Sequence, residues 1–193
     1  MKKLISAILL CSIVLLSLCS FTPVKSVEVQ QQASAVDQSK VLEKRFLNML
    51  NHNFVYSNAF YNDEALVNDS ALALLDLAKD GFIEESYLKD YIFNMYGKIY
   101  DDFSEYNPLA PKADGYFYII PRGYDLYEHE IASVVENEDG SYLVITNVII
   151  DYHFGEKVEA VSTTIFLPNE ESQFGFNILF SDLAYPLEFA MAL

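Results

Sequence analysis

The chain has 193 residues, and 12 Lys plus Arg stand against 28 Asp plus Glu, a formal net charge of −16. Three basic residues and no acidic residue precede Val27, so the remainder carries 9 basic and 28 acidic residues, or −19. A surface so acidic repels nucleic acid and anionic lipid headgroups. We therefore expect no nucleic-acid partner, and the length suits one domain after removal of a leader.

Residues 1–26 are predicted to be a secretory signal peptide. Lys2 and Lys3 precede an apolar run over residues 4–18, and small polar residues follow it. The run is short for a membrane span, which needs about 20 apolar residues, so we expect no span after signal removal. The product is then secreted or extracytoplasmic. Alternatively, Leu16-Ser17-Leu18-Cys19 resembles a bacterial lipobox and predicts a lipid anchor at Cys19.

Both cysteines, Cys11 and Cys19, lie in this leader, so we expect a mature domain without disulfides or thiol chemistry. Residues 27–38 show no sustained apolar period and are predicted to be a polar tether. A single α+β domain is expected over residues 39–193.

Helices are predicted first. Leu42, Phe46, Met49 and Leu50 share one face of a helix that runs from about residue 39 to 61. A second helix is expected from Asp69-Ser70 to Asp80-Gly81, and a third from about Glu84 to Gly97.

About five strands follow the helices, near residues 116–120, 124–136, 141–154, 157–168 and 174–182. Helices followed by an antiparallel β-meander predict an α+β fold, with the N-terminal helices packed on one face of a curved sheet.

The register of the strands predicts two unlike faces. A four-residue loop at 137–140 places Glu136 opposite Ser141. The inner face then carries Tyr127, His129, Ile131, Ser133, Val135, Tyr142, Val144, Thr146, Val148, Ile150 and Tyr152. The outer face carries acidic and polar residues, namely Glu128, Glu130, Glu136, Ser141, Asn147, Asp151 and His153.

Two registers remain open for the next hairpin. A two-residue loop at Gly155-Glu156 places Val161, Thr163, Ile165 and Leu167 inside. A longer loop places Val158, Ala160, Thr164 and Phe166 inside instead.

This order of elements over residues 39–182 resembles the NTF2-like (cystatin-like) fold group. The resemblance implies a cone with an apolar cavity, which members use as an enzyme site, as a ligand pocket or not at all. The chain departs from the group in one respect. Those domains often place a strand between the early helices, and none is predicted here before Tyr116.

His129 is the candidate catalytic residue, because a histidine in an apolar cup can act as a general acid or base. Its predicted pocket neighbours are Tyr127, Tyr142, Thr146 and Tyr152. Only Glu159, in one of the two registers, would provide a carboxylate, so a hydrogen-bonded core histidine is the alternative interpretation. Arg122 could bind a carboxylate or phosphate at the mouth of the pocket, or simply be an exposed turn residue.

We expect neither a metal nor a cofactor. The segment 76–84 matches a calcium loop at Asp76, Asp80, Gly81 and Ile83, but Ala78 and Tyr87 occupy ligand positions. Asp151 and His153 lack a third ligand.

The favoured function is therefore a non-enzymatic binding or interaction domain, with a small molecule or a protein as its partner. The alternatives are a small isomerase or dehydratase built on His129, and an inhibitor or accessory of cell-envelope enzymes. The sheet could also mediate a homodimer.

Overall fold

A computed structural model describes residues 25–106, 110–120, 126–151 and 157–186 of the chain. The chain divides into two compact units, Met1–Leu42 and Glu43–Leu193. The described part of the first unit is entirely helical. The described residues of the second unit form two more α-helices and two antiparallel sheets, which confirms the α+β class.

The first helix, α1, spans Lys25–Leu50. The prediction of a tether at 27–38 is therefore wrong for the backbone, since the Gln, Glu and Ala residues of this stretch favour helix without any apolar face. The helix also ends earlier than predicted. Asn53 bonds through its amide to both backbone groups of Val55, at 3.1 and 3.2 Å, and such local bonds compete with helix.

The second helix, α2, spans Asp63–Leu72 and begins before its predicted start. Asn62 provides the N-cap, because its side chain accepts a hydrogen bond from the amide of Ala65 at 3.2 Å. Asp63 and Glu64 in the first turn complement the helix dipole. Short 3-10 turns at Ser57–Tyr61 and Leu75–Leu77 flank this helix.

Asp80 and Gly81 form a tight β-turn and not a helix terminus. Both have positive φ, 54° and 82°, and Lys79 and Phe82 exchange two backbone hydrogen bonds across them. The turn leads into β1, Phe82–Glu84, which pairs with β2, Tyr116–Tyr118, as a separate two-stranded sheet. The predictions of a helix up to Gly81 and of no strand before Tyr116 are therefore wrong.

The third helix, α3, spans Glu85–Tyr96 and ends at Gly97, as predicted. Gly97 adopts a left-handed conformation with φ 68° and caps the helix. Leu88, Ile92 and Met95 are fully buried, so this side of the helix faces the core.

The main sheet is a four-stranded antiparallel meander in the order β3-β4-β5-β6. Its strands are β3 (Leu126–Glu136), β4 (Tyr142–Asp151), β5 (Lys157–Pro168) and β6 (Phe176–Ala184). The first of the five predicted strands, near residues 116–120, is β2, which belongs to the smaller sheet because it pairs with β1.

The register of β3 on β4 agrees with the prediction only in the first part of β3, from Tyr127 to Ile131. A β-bulge at Ala132 shifts the pairing, so that Val135 faces Leu143 and Val134 faces Val144. Val135 is consequently on the outer face, 47% exposed, and Ser133 shares that face. The predicted inner positions of these two residues are wrong, as is the predicted outer position of Glu136, which pairs with the inner-facing Tyr142.

The next hairpin has the longer-loop register. Ile150 pairs with Val158, and Asp151 pairs with Lys157. Val158, Ala160, Thr164 and Phe166 therefore face inward. The two-residue-loop alternative is wrong, because it would bury Val161 and Leu167, which are each 42% exposed.

The last two turns of α1, from Glu43 onward, pack on the inner face of the main sheet. The ring of Phe46 stacks on Phe166 at 4.4 Å and contacts Phe176 at 5.1 Å and Tyr142 at 5.5 Å. Phe46, Met49 and Leu50 are fully buried, as predicted. This aromatic cluster holds α1 against the sheet. Among the described residues, no helix packs on the opposite face of the sheet.

Candidate functional site

His129 lies on the inner face of β3 and uses both of its ring nitrogens. Its Nε2 is 3.2 Å from the hydroxyl of Tyr56, and its Nδ1 is 3.0 Å from Oγ1 of Thr146. In a neutral imidazole one nitrogen donates and the other accepts, so the two hydroxyls satisfy the ring completely. No carboxylate of the described chain lies within bonding distance of this ring.

Burial lowers the pKa of His129 to about 4, so the ring is neutral at pH 7. Burial also raises the pKa of Tyr56, helped by nearby Tyr127, whose ring lies 5.4 Å away. The phenol therefore remains protonated. A weakly basic histidine between two hydroxyls is typical of a satisfied core residue and not of a general acid or base.

The other predicted pocket residues have separate positions. Tyr127 contacts the buried cluster of Val148, Ile150 and Ala160, and Thr146 is only 1% exposed. Tyr142 packs instead in the aromatic cluster around Phe46. Tyr152 and Arg122 lie outside the described residues. The structure thus brings His129, Thr146 and Tyr127 together within the core.

The outer face of the sheet carries a groove of about 810 Å³ that runs across the strands. We call it the transverse groove. One wall is the row Glu128, Ile149, Glu159, and the other is the row Glu130, Asn147, Val161, Ala184. The row between them is His129, Val148 and Ala160. Because side chains alternate along a strand, these three point inward and present their backbone to the groove.

The transverse groove combines negative charge with apolar surface. Glu128, Glu130 and Glu159 are exposed and make no ion pair with any described residue. Ile149 and Val161 are 39% and 42% exposed on the same face. Among the described residues that line the groove there is no lysine or arginine. Its chemistry suits a ligand with positive charge and an apolar part.

The sequence identified only part of this site. Glu128, Glu130 and Asn147 were placed on the outer face, and the structure confirms this. Ile149 and Val161 were missed as site residues, and Glu159 was considered only for the inner face. The positions of Glu159 and Val161 follow from the longer-loop register, which sequence alone left open.

The described residues contain no cluster of three or more His, Cys, Asp or Glu arranged to hold a metal ion. Asp76 lies in a 3-10 turn and Asp80 in the tight turn before β1, so the segment 76–84 has no calcium-loop geometry. Asp151 pairs with Lys157 at 3.5 Å, while His153 lies outside the described residues.

Two further expectations concern partners. No helix within the described ranges is long and apolar enough to cross a membrane. Strand β3 has no neighbour on its outer edge among the described strands, and a homodimer through the sheet stays a prediction.

Comparison with known proteins gives no relative. No family model, no curated protein and no solved structure matches this chain. The resemblance to the NTF2-like group therefore remains a prediction from element order, whereas the α+β architecture is a property of the chain itself.

Proposed function

We infer that this protein is an exported, non-enzymatic binding domain whose transverse groove receives a basic, partly apolar segment of a protein partner. The leader-like sequence at residues 1–26 supports export, with free secretion and a lipid anchor at Cys19 as its two forms. The transverse groove itself carries the proposal, because it places three unpaired glutamates beside exposed Ile149 and Val161.

The dimensions of the transverse groove favour a peptide segment. It crosses strands spaced about 4.8 Å apart, and a path of about 15 Å across them matches about five residues of extended chain. Open walls of alternating charge and apolar surface give such a segment both attraction and contact area. An accessory protein that docks onto a basic region of a cell-envelope enzyme would use this arrangement.

The enzymatic alternative receives less support. The side chain of His129 points away from the transverse groove, and its nitrogens are bonded to Tyr56 and Thr146. A residue with satisfied nitrogens and a low pKa would have to break these bonds before it could accept a substrate proton.

The test is fluorescence anisotropy with a fluorescein-labelled peptide of alternating lysine and leucine. We expect binding that weakens about tenfold or more when Glu128, Glu130 and Glu159 are all changed to Gln, because three attractive charges are lost. The matched control changes Glu105, Glu138 and Glu170 to Gln, since these are exposed and lie outside the transverse groove. It removes the same charge and should weaken binding much less.

A second pair of variants tests the apolar part. Ile149→Thr with Val161→Thr should weaken binding about fivefold at unchanged charge. Equal affinities of the two glutamine triple variants would show that only the overall negative charge attracts the peptide, and the proposed groove site would be wrong.

A further inference from the structure

A second concavity lies between α1 and the loop that joins β5 to β6. It has a volume of about 350 Å³ and is lined by Arg45, Asn48, Ser172, Gln173, Phe174 and Gly175. We call it the Arg45 cleft. It shares no lining residue with the transverse groove, and no acidic side chain lines it.

Arg45 has no carboxylate within ion-pair distance among the described residues, although the chain carries 28 acidic residues. Glu170 and Glu171 lie in the neighbouring loop, yet neither reaches it. Its guanidinium lies over the backbone of Gly175, where an added Cβ would be 3.5 Å from Nη1. An unpaired guanidinium offers a planar set of donors that matches a carboxylate.

Two amide side chains and one aromatic ring of the Arg45 cleft can also contact a ligand. The side-chain amides of Asn48 and Gln173 are exposed and form no hydrogen bond within the described chain. The ring of Phe174 is half-buried and stacks on no other described ring. The cleft therefore offers one cation, two neutral donors and one aromatic surface.

The loop that forms one wall is held rigidly. Ser172 donates through Oγ to the carbonyl oxygen of Asn94 at 2.7 Å, and the amide of Gln173 donates to Oδ1 of Asn94 at 2.7 Å. The amide of Phe174 donates in turn to Oγ of Ser172 at 3.2 Å. A wall fixed onto α3 in this way needs little ordering when a ligand binds.

We propose that the Arg45 cleft binds a carboxylate attached to an apolar group, with Arg45 pairing the carboxylate and Phe174 contacting the apolar part. A single cation in a strongly acidic protein favours a singly charged ligand over a phosphate. Two kinds of ligand carry such a carboxylate: a free organic acid, and a peptide through its C-terminus.

The test is an NMR titration of the folded domain that follows the Arg45 Nε–H signal and the side-chain amides of Asn48 and Gln173. The probes are 3-phenylpropionate and a short peptide that ends in phenylalanine, each compared with its own amide. We expect both acids to shift these signals and neither amide to do so. A response to only one of the acids would identify the source of the carboxylate.

Arg45→Gln should weaken binding of the acid about tenfold, since it removes a charge-assisted pair. Arg45→Lys should restore only part of the affinity, because the ammonium keeps the charge but not the fork. Lys44→Gln is the matched control, as Lys44 is exposed on the same helix and does not line the cleft. The affinity of the Lys44→Gln variant for the acid should stay within about twofold of that of the unaltered protein.

Three results would overturn the proposal. These are equal binding of acid and amide, an unchanged affinity in Arg45→Gln, or no shift at about 10 mM acid, where a millimolar site is mostly filled. Because the two sites share no residue, a failure here leaves the proposal for the transverse groove intact.

Discussion

Asn177 on β6 closes the C-terminal end of α3: its Nδ2 donates to the carbonyl oxygen of Phe93 at 2.9 Å. The same amide also donates to the carbonyl oxygen of Asn94 at 3.0 Å. These carbonyl oxygens lie at the end of the helix and also accept hydrogen bonds from the amide of Gly97 and from Oγ of Ser172, at 2.8 and 2.7 Å, so Asn177 is a second donor to each of them. One buried amide thereby ties α3 to the main sheet.

Replacement of Asn177 by Ala should lower the free energy of unfolding by about 1–3 kcal/mol, because two hydrogen bonds of about 0.5–1.5 kcal/mol each are lost. Denaturant unfolding followed by circular dichroism measures this loss. Asn51→Ala is the control, since Asn51 is exposed and its side chain makes no hydrogen bond with the described residues. Similar stabilities of the two variants would contradict the capping role.

Gly97→Ala should also destabilise the protein. Gly97 has φ 68°, and an added Cβ would lie 2.9 Å from Oδ1 of Asn177. The left-handed conformation alone costs a non-glycine residue about 1–2 kcal/mol, and the close contact adds to this. Gly140→Ala separates the two effects, because Gly140 has φ 80° with nothing within 4 Å of its added Cβ. Thermal unfolding should show a larger loss for Gly97→Ala, and an equal loss would rule out the steric contribution.

Ser70→Ala should leave the protein as stable as before, or more stable by up to about 1 kcal/mol. The Oγ of Ser70 is buried in α2 and has no hydrogen-bond partner among the described residues, so its removal abolishes a desolvation penalty. Ser172→Ala provides the contrast, because that hydroxyl donates to Asn94 and its loss should destabilise. Chemical denaturation of both variants tests the sign, and a clear loss in Ser70→Ala would contradict the prediction.

Acid should weaken the fold through His129. Burial holds its folded-state pKa at about 4, below the unfolded value of 6.5. Between these two pKa values the unfolded chain therefore binds more protons than the folded chain. The stabilisation that comes from keeping His129 neutral is complete above pH 6.5 and is lost as the pH falls toward 4. The loss should be about 2–3 kcal/mol, at about 1.4 kcal/mol per pH unit less some solvent screening.

The measurement compares unfolding free energies across this pH range for the unaltered protein and for His129→Gln, which does not titrate. The difference between the two curves isolates His129 from the carboxylates that titrate in the same range. His52→Gln is the control, as His52 is exposed and its ring bonds, among the described residues, to the carbonyl oxygen of Asn48. Parallel curves for the unaltered protein and His129→Gln would show that burial does not perturb His129.

Periodicity predicted the parts of the fold where one face is strongly apolar. The buried face of α1 around Phe46, the extent of α3 up to Gly97 and the positions of β3 to β6 all follow from it. Asp80-Gly81 was misinterpreted because a glycine after a helical period is typical of a C-cap as well as of a hairpin turn.

The site was harder to predict, because it depends on register. A single extra residue at Ala132 moves Ser133 and Val135 to the other face, and no property of alanine reveals a bulge. The register of β5 on β4 likewise decides which side Glu159 and Val161 occupy. Of the two hydrogen-bond partners of the His129 ring, the sequence predicted one as a neighbour, Thr146. The other, Tyr56, was not predicted, because it comes from a segment that was interpreted as helix.

The bulge at Ala132 also has a consequence for how copies of this chain behave toward one another. An uncovered strand at the edge of a sheet is a template on which further copies can add by backbone pairing. In β3 the bulge interrupts the ladder midway, and the glutamates at 128 and 130 would repel their equivalents on an added strand. The edge of β3, which no described strand covers, thus carries features that oppose growth into fibrils.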